Sequence, residues 1–93
     1  MLVGLCSIEL KLHGVNSLKE KRRIIKSLTQ KIHNRFNVSI AEVDYQDYWQ
    51  RASLGVAVVS NENRHIQQVL QQVINFIESS AEVEIGDCRI EVL

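Results

Sequence analysis

The chain has 93 residues, of which 45% are hydrophobic and 24% are charged, as in ordinary soluble globular proteins. This length predicts one domain over residues 1–93. The two cysteines, Cys6 and Cys88, have the spacing of neither a disulfide framework nor a zinc site, so a reducing cytoplasm is expected. The apolar N-terminal run is interrupted by Glu9 and Lys11 and has no basic leader, which predicts neither a signal peptide nor a membrane span.

The charges are unevenly distributed along the chain, although the net charge is zero. Residues 1–40 contain eight Lys or Arg and two acids, which gives +6. Residues 41–93 contain three Arg and nine acids, which gives −6. This asymmetry indicates that a charged partner would contact one part of the molecule in preference to the other.

The first half of the sequence predicts a strand, a helix and a second strand. Apolar and polar residues alternate over 2–12, as in a half-buried strand. Ser17 and Glu20 have the spacing of a capping box, in which the glutamate reaches back to the cap, and apolar residues recur at helical spacing over 18–35. The segment "FNVSIAEVDY", residues 36–45, is rich in β-branched residues and predicts the second strand.

The second half predicts a strand over 52–61, a helix over 61–80 and a strand over 82–93. The alternation of the last strand slips by one residue at Gly86, which predicts a β-bulge there. The order βαββαβ predicts an α+β fold, the ferredoxin-like sandwich, with two helices on one face of a four-stranded antiparallel sheet. The expected strand order is 4-1-3-2, which makes the second strand an edge.

The predicted first helix carries a row of cations with few acids nearby. This row, here called the basic ridge, has the i, i+3, i+4, i+7 spacing of one helix face and consists of Lys19, Arg22, Arg23 and Lys26. Like charges on a helix face cost about 0.2–0.5 kcal/mol per pair. The ridge is therefore either a solvated face or a surface for an external polyanion such as RNA. Lys21 falls in the apolar stripe, where its ammonium is expected to snorkel past the sheet edge or to face an anion near the helix start.

Three of the five aromatic residues, Tyr45, Tyr48 and Trp49, lie in "DYQDYWQR", residues 44–51, here called the aromatic segment. Three explanations account for this concentration of aromatic residues. The first is that they cover apolar sheet surface, the second is that they form an interface with another protein chain, and the third is that they stack on RNA bases. Stacking on the central strands is not expected, because Val3, Leu5, Ser7, Val56 and Val58 supply no aromatic ring there.

Other chemistry-bearing residues form no recognisable constellation in the sequence. Glu42 and Asp44 are expected to share a strand face and, with Asp47, to block unwanted pairing of an edge strand. The three histidines are scattered over three elements. Cys6 and Cys88 are expected on neighbouring strands as two buried thiols. No metal and no cofactor are predicted.

Four segments together resemble the YlxP-like family: "SLKEKRRIIKSL", "RFNVSIAEVD", "DYWQRASLGVAVVSN" and "VLQQVINFIE". This is a bacterial family of about this length, classed as a domain of unknown function, and the resemblance covers residues 2–93. It implies a ferredoxin-like sandwich and a gene that often lies near those for translation initiation factor two and ribosome-binding factor A. It implies no catalytic residues.

Two hypotheses of different classes follow from these observations. In the first, the chain is a non-enzymatic, RNA- or ribosome-associated binding protein whose basic ridge contacts phosphates of ribosomal RNA or a ribosomal subunit. In the second, it is a homo-oligomeric scaffold, such as a homodimer, or a small-ligand-binding domain that uses the second strand, an edge strand, and the aromatic segment. An enzyme would need a catalytic constellation that the sequence does not offer.

Overall fold

The computed structural model describes residues 1–93 and contains the six predicted elements in the predicted order. They are β1 (Leu2–Leu12), α1 (Leu18–Arg35), β2 (Ser39–Asp44), β3 (Arg51–Ser60), α2 (Asn63–Glu78) and β4 (Val83–Val92). The predicted bounds of the first strand and the first helix are confirmed, whereas α2 is shorter than its predicted range of 61–80. Neither helix is both long enough and apolar enough to cross a membrane.

The strands form one antiparallel sheet in the order β2-β3-β1-β4, which confirms the predicted ferredoxin-like fold and strand order. Both helices pack on one side of this sheet, and the hydrophobic core lies between the two layers. The other side of the sheet, here called the open face, has no helix over it. The edge strands are β2 and β4.

The N-terminus of α1 is capped as its sequence predicts, with one difference. Ser17 Oγ accepts a hydrogen bond from the Glu20 backbone N–H at 3.1 Å. The Glu20 carboxylate reaches back, but its Oε2 accepts from the Asn16 N–H at 3.4 Å rather than from the cap residue itself. These contacts satisfy N–H groups that have no partner within the helix.

Two irregularities in the strand register decide which way side chains point. On β4, Cys88 pairs with Ile8 and Ile85 pairs with Leu10, so β4 carries an extra residue between them and the bulge predicted at Gly86 is confirmed. A second shift, which the sequence analysis did not predict, lies in β2 between Glu42 and Asp44.

The irregularity in β2 separates two acids that were expected to share a face. Glu42 pairs with Leu54, whose side chain is fully buried in the core, whereas Asp44 pairs with Ser53 on the open face. The expectation that Glu42 and Asp44 lie on one face is therefore wrong. The reason is that an extra residue, Val43, inverts the alternation of sides along the strand.

The two β3 residues that were named as lacking a stacking ring do not lie on the open face. Val56 and Val58 are 2% and 5% exposed and face the helices. The open face of β3 instead carries Gly55, Ala57 and Val59. None of these residues is aromatic, so β3 still offers no aromatic ring on which an RNA base could stack.

A close approach between α2 and β1 depends on a residue without a side chain. A Cβ atom placed on Gly4 would collide with Ile66 Cγ2 and would lie 3.1 Å from Val58 Cγ1. Ile66 is fully buried and begins the apolar stripe of α2. Gly4 therefore sets the depth at which the second helix sits on the sheet.

Candidate nucleic-acid interface

All four side chains of the basic ridge are exposed to solvent. The same helix buries its opposite side, with Lys21, Ile24, Ile25, Leu28 and Ile32 packed toward the sheet. The ridge therefore projects away from the core along the outer surface of α1, as its spacing predicts.

The carboxylates of residues 41–93 neutralise almost none of the positive charge of the basic ridge. Arg23 approaches one acid, with its Nη2 atom 3.8 Å from Glu82 Oε2, and both side chains of this pair are mostly exposed. Lys19, Arg22 and Lys26 have no carboxylate within 4.0 Å. An exposed pair of this kind contributes at most about 1 kcal/mol, so the positive charge of the ridge remains available to an external anion.

The neighbouring helix contributes little to this field. Between its first turn and its last residue, Glu78, its exposed positions carry amide side chains rather than charges, at Gln67, Gln68, Gln71, Gln72 and Asn75. Two of these amides bond to each other, since Gln71 Nε2 donates to Asn75 Oδ1 at 2.9 Å. The positive potential on the helical side of the molecule therefore comes from α1.

The C-terminal half of α1 extends the cationic surface toward α2, and the sequence analysis did not single out this region. The Arg35 guanidinium lies over the Phe76 ring at 5.2 Å from its centre, and Phe36 packs edge-on against the same ring at 6.0 Å. A cleft of ≈ 200 Å³ beside Phe76 is also lined by Lys31. The i, i+4 spacing of Lys31 and Arg35 was the available signal for this region.

Lys21 is buried, so the expectation that its ammonium reaches solvent is wrong. Its side chain is fully buried, and Nζ lies 2.6 Å from Glu42 Oε2. The ammonium also donates to the backbone carbonyls of Tyr45, at 2.7 Å, and Gln46, at 3.4 Å. Glu42 Oε2 has no other polar partner. A buried ammonium needs such compensation, and here an acid from the edge strand and the aromatic segment provide it.

The aromatic segment is held in a defined conformation, with two of its rings in solvent. Tyr45 adopts a positive φ of 62°, and its ring packs edge-on against Tyr48 at 5.2 Å. The Arg51 guanidinium lies over the Tyr45 ring at 4.2 Å. Tyr48 and Trp49 are 54% and 51% exposed. The first explanation, that these aromatics cover the apolar sheet surface, is therefore wrong for Tyr48 and Trp49.

The structure brings the aromatic segment next to the start of the basic helix. Lys21 binds two carbonyls of the segment from within the first turns of α1. Gln50 Nε2 donates to the Val15 carbonyl, in the loop before α1, at 3.3 Å. Two features that are 18 or more positions apart in the sequence therefore meet at the N-terminal end of α1. Sequence spacing gave no signal for this proximity, because it depends on a long-range contact.

The acids, histidines and cysteines are the other side chains that can carry chemistry. No three His, Cys, Asp or Glu side chains are arranged to hold a metal ion. Cys6 and Cys88 are both free, and their sulfur atoms lie 3.8 Å apart across β1 and β4, so the predicted proximity of the strands is confirmed. Burial, together with the neighbouring Cys88 thiol, raises the pKa of Cys6 to about 12.

Comparison with known proteins gives a family for the chain. A family model described as "Protein of unknown function (DUF503)" matches residues 3–90. The chain belongs to this family. The "Uncharacterized protein YlxP" of Bacillus subtilis (strain 168) is 42% identical to it over 90 residues, which cover 97% of this chain and 98% of that protein. The resemblance to YlxP-like proteins that the sequence segments indicated is confirmed.

Solved structures show that this DUF503 chain shares its fold with proteins of unrelated sequence. A de novo designed protein with a ferredoxin fold is similar over 100% of this chain and 84% of its own, with a TM-score of 0.57 and 12% identity. SnoaB from Streptomyces nogalater, a cofactor-independent oxygenase, is similar over 99% and 90%, with a TM-score of 0.52 and 7% identity. At these identities the similarity shows the ferredoxin-like fold alone.

Proposed function

We propose that this protein binds RNA, with ribosomal RNA or a ribosomal subunit as its partner, and that it does so through the basic ridge rather than as an enzyme. One observation supports the proposal above others. Lys19, Arg22 and Lys26 repel one another on a single helix face while no carboxylate of the same molecule pairs with them. A face that bears this repulsion suits a ligand with closely spaced negative charges, and the phosphate backbone of RNA is such a ligand.

The dimensions of the ridge fit contacts to a short stretch of backbone. From Lys19 to Lys26 the helix rises by about 10 Å, which spans a few phosphate groups. Arg22 and Arg23 each offer a planar guanidinium that can donate two parallel hydrogen bonds to one phosphate. The two lysines act as point charges at the ends of the row. Such contacts position a protein on RNA without reading the base sequence.

Co-sedimentation with purified ribosomal subunits and fluorescence anisotropy with ribosomal RNA fragments, each over a salt series, test the proposal. The test variant carries Arg22→Glu and Arg23→Glu. The matched control changes Gln67, Gln68, Gln71 and Gln72 of α2 to Glu, which alters the net charge by the same amount on the neighbouring helix. Circular dichroism verifies that both variants keep the helical fold.

The expected result is that the ridge variant loses binding while the control retains most of it. The proposal predicts this difference because the ridge carries the cations that contact phosphate, whereas general charge repulsion would affect both variants alike. Equal binding by the ridge variant and the unmodified protein would overturn the proposal. Equal loss in both variants would show a non-specific charge effect and would overturn it as well.

A further inference from the structure

The open face combines projecting apolar side chains with a hollow. Val43 on β2 and Val59 on β3 are 56% and 61% exposed and stand out from this side of the sheet. A shallow depression of ≈ 330 Å³ lies beside Val43 and is lined by residues of β1, β2 and β3. Ala41 and Ala57 line it and add only methyl groups. Gly55 also lines it, but the Val43 side chain covers this glycine, since a Cβ there would lie 3.0 Å from Val43 Cγ1. Contiguous exposed apolar surface of this kind marks an interaction site more often than an ordinary surface.

The charges at the other end of the open face neutralise each other. Glu9 Oε2 lies 3.4 Å from Arg51 Nη2, and Asp87 Oδ2 lies 3.3 Å from Arg89 Nε. Residues of both pairs line one depression on this side of the sheet. The open face therefore presents no net charge of either sign from these pairs, in contrast with the unpaired cations of the basic ridge. Such a surface suits neither a polyanion nor a strongly basic partner.

We propose that a second copy of this chain docks on the open face, so that two sheets pack face to face in a homodimer. A two-fold interface requires one surface to be complementary to itself, so the same patch must carry both projections and hollows. The open face meets this requirement, because the valines at 43 and 59 project while Ala41 and Ala57 line a hollow.

The available area is sufficient for such a pair. Strands lie about 4.8 Å apart and rise about 3.3 Å per residue, so a sheet with four strands and ten-residue central strands offers roughly 500–600 Å² on one side. Two copies would then bury roughly 1,000–1,200 Å², which reaches the lower end of the range for specific association. The expected dimer is therefore in equilibrium with its monomer at micromolar concentrations.

This surface differs from the interface that the sequence suggested. The sequence favoured the aromatic segment, whose exposed rings Tyr48 and Trp49 lie on the connection beyond the edge strand. The structure instead assigns the self-complementary apolar surface to the open face, which is the side of the sheet without helices. Association through the open face also leaves the basic ridge uncovered, since the ridge lies on the opposite side of the sheet.

Sedimentation equilibrium over a range from about one to several hundred micromolar tests the proposal. The test variant carries Val43→Lys and Val59→Lys, two exposed positions where lysine leaves the core intact. The matched control carries Tyr48→Lys and Trp49→Lys, which are exposed to a similar degree but lie off the open face. The expected result is a dimer for the unmodified protein and for the control, with dimer affinity at least tenfold weaker in the test variant.

Three results would overturn the proposal. A monomer at every concentration of the unmodified protein would show that the open face does not bind a second copy. Dissociation of the control alone would assign the interface to the aromatic segment. An assembly that tolerates both lysines on the open face would place the contact elsewhere on the molecule.

Discussion

Lys21 Nζ lies 2.6 Å from Glu42 Oε2, so a buried ion pair joins the helix of the basic ridge to an edge strand. The same ammonium donates hydrogen bonds to the backbone carbonyls of Tyr45 and Gln46, so a residue of α1 holds the aromatic segment in place. One side chain therefore fixes the relative positions of three elements near the candidate interface.

Removing one partner of this pair is expected to destabilise the fold strongly. Lys21→Met leaves the Glu42 carboxylate and two carbonyl groups without their donor, and the expected loss in the free energy of unfolding is about 3 kcal/mol. Arg23→Met removes an exposed pair and is expected to cost less than about 1 kcal/mol. Urea unfolding followed by circular dichroism measures both values. A Lys21→Met cost no larger than that of the control would contradict the structural role assigned here.

The salt dependence of RNA binding is expected to report the number of ridge contacts. Four phosphate contacts to single-stranded RNA predict a slope of log K against log salt concentration of about −3. Arg22→Gln with Arg23→Gln removes two contacts, so the slope should become shallower by about 1.4. Anisotropy titrations at several salt concentrations give both slopes. An unchanged slope would show that these two arginines do not contact phosphate.

Gly4→Ala is expected to destabilise the protein by about 1–3 kcal/mol, since the added methyl group overpacks the contact with Ile66 on α2. Gly86→Ala is the matched control. A Cβ at Gly86 would meet only the Glu9 carbonyl oxygen at 3.7 Å, an ordinary contact, so little change is expected there. Thermal and urea unfolding compare the two variants. Equal effects would mean that the approach of α2 to β1 does not depend on Gly4.

The Cys6 thiol is expected to make stability fall at alkaline pH. Its pKa rises from the ordinary value of 9.0 to about 12 in the folded chain, so the folded state holds a proton that the unfolded state releases. The resulting stability is fully present below pH 9 and is lost between pH 9 and about 12. Cys6→Val removes this contribution, and the difference between the two unfolding free energies should shrink as pH rises from 8 to 10, roughly. A difference independent of pH would contradict this account.

Local patterns predicted most of the fold. The bounds of β1 and α1, the Ser17 cap and the bulge at Gly86 each depend on residues close together in sequence, and each is found in the structure. The topology followed because βαββαβ order with two amphipathic helices has few compact arrangements. The position of the basic ridge could also be predicted from the sequence, since its spacing alone determines which side of α1 it occupies.

The errors have one physical origin, which is a contact between distant parts of the chain. Lys21 was expected to reach solvent because its partner, Glu42, lies in another element, and helical spacing contains no information about that partner. Asp44 was expected on the same face as Glu42 because the irregularity at Val43 leaves no mark in the composition of β2. The positions of Tyr48 and Trp49 likewise depend on the hydrogen bonds from Lys21 to the backbone of the aromatic segment. These bonds join distant parts of the chain and are visible only in the folded structure.

The helices of this fold occupy a single side of the sheet, which makes the two candidate surfaces point in opposite directions. If copies join through their uncovered β-layers, the cationic helices end up on the two outer walls of the assembly. One dimer would then hold separate stretches of nucleic acid at a distance set by the combined thickness of its two sheets and two helical layers. Its avidity for a folded, compact ribonucleoprotein would exceed that for an isolated strand.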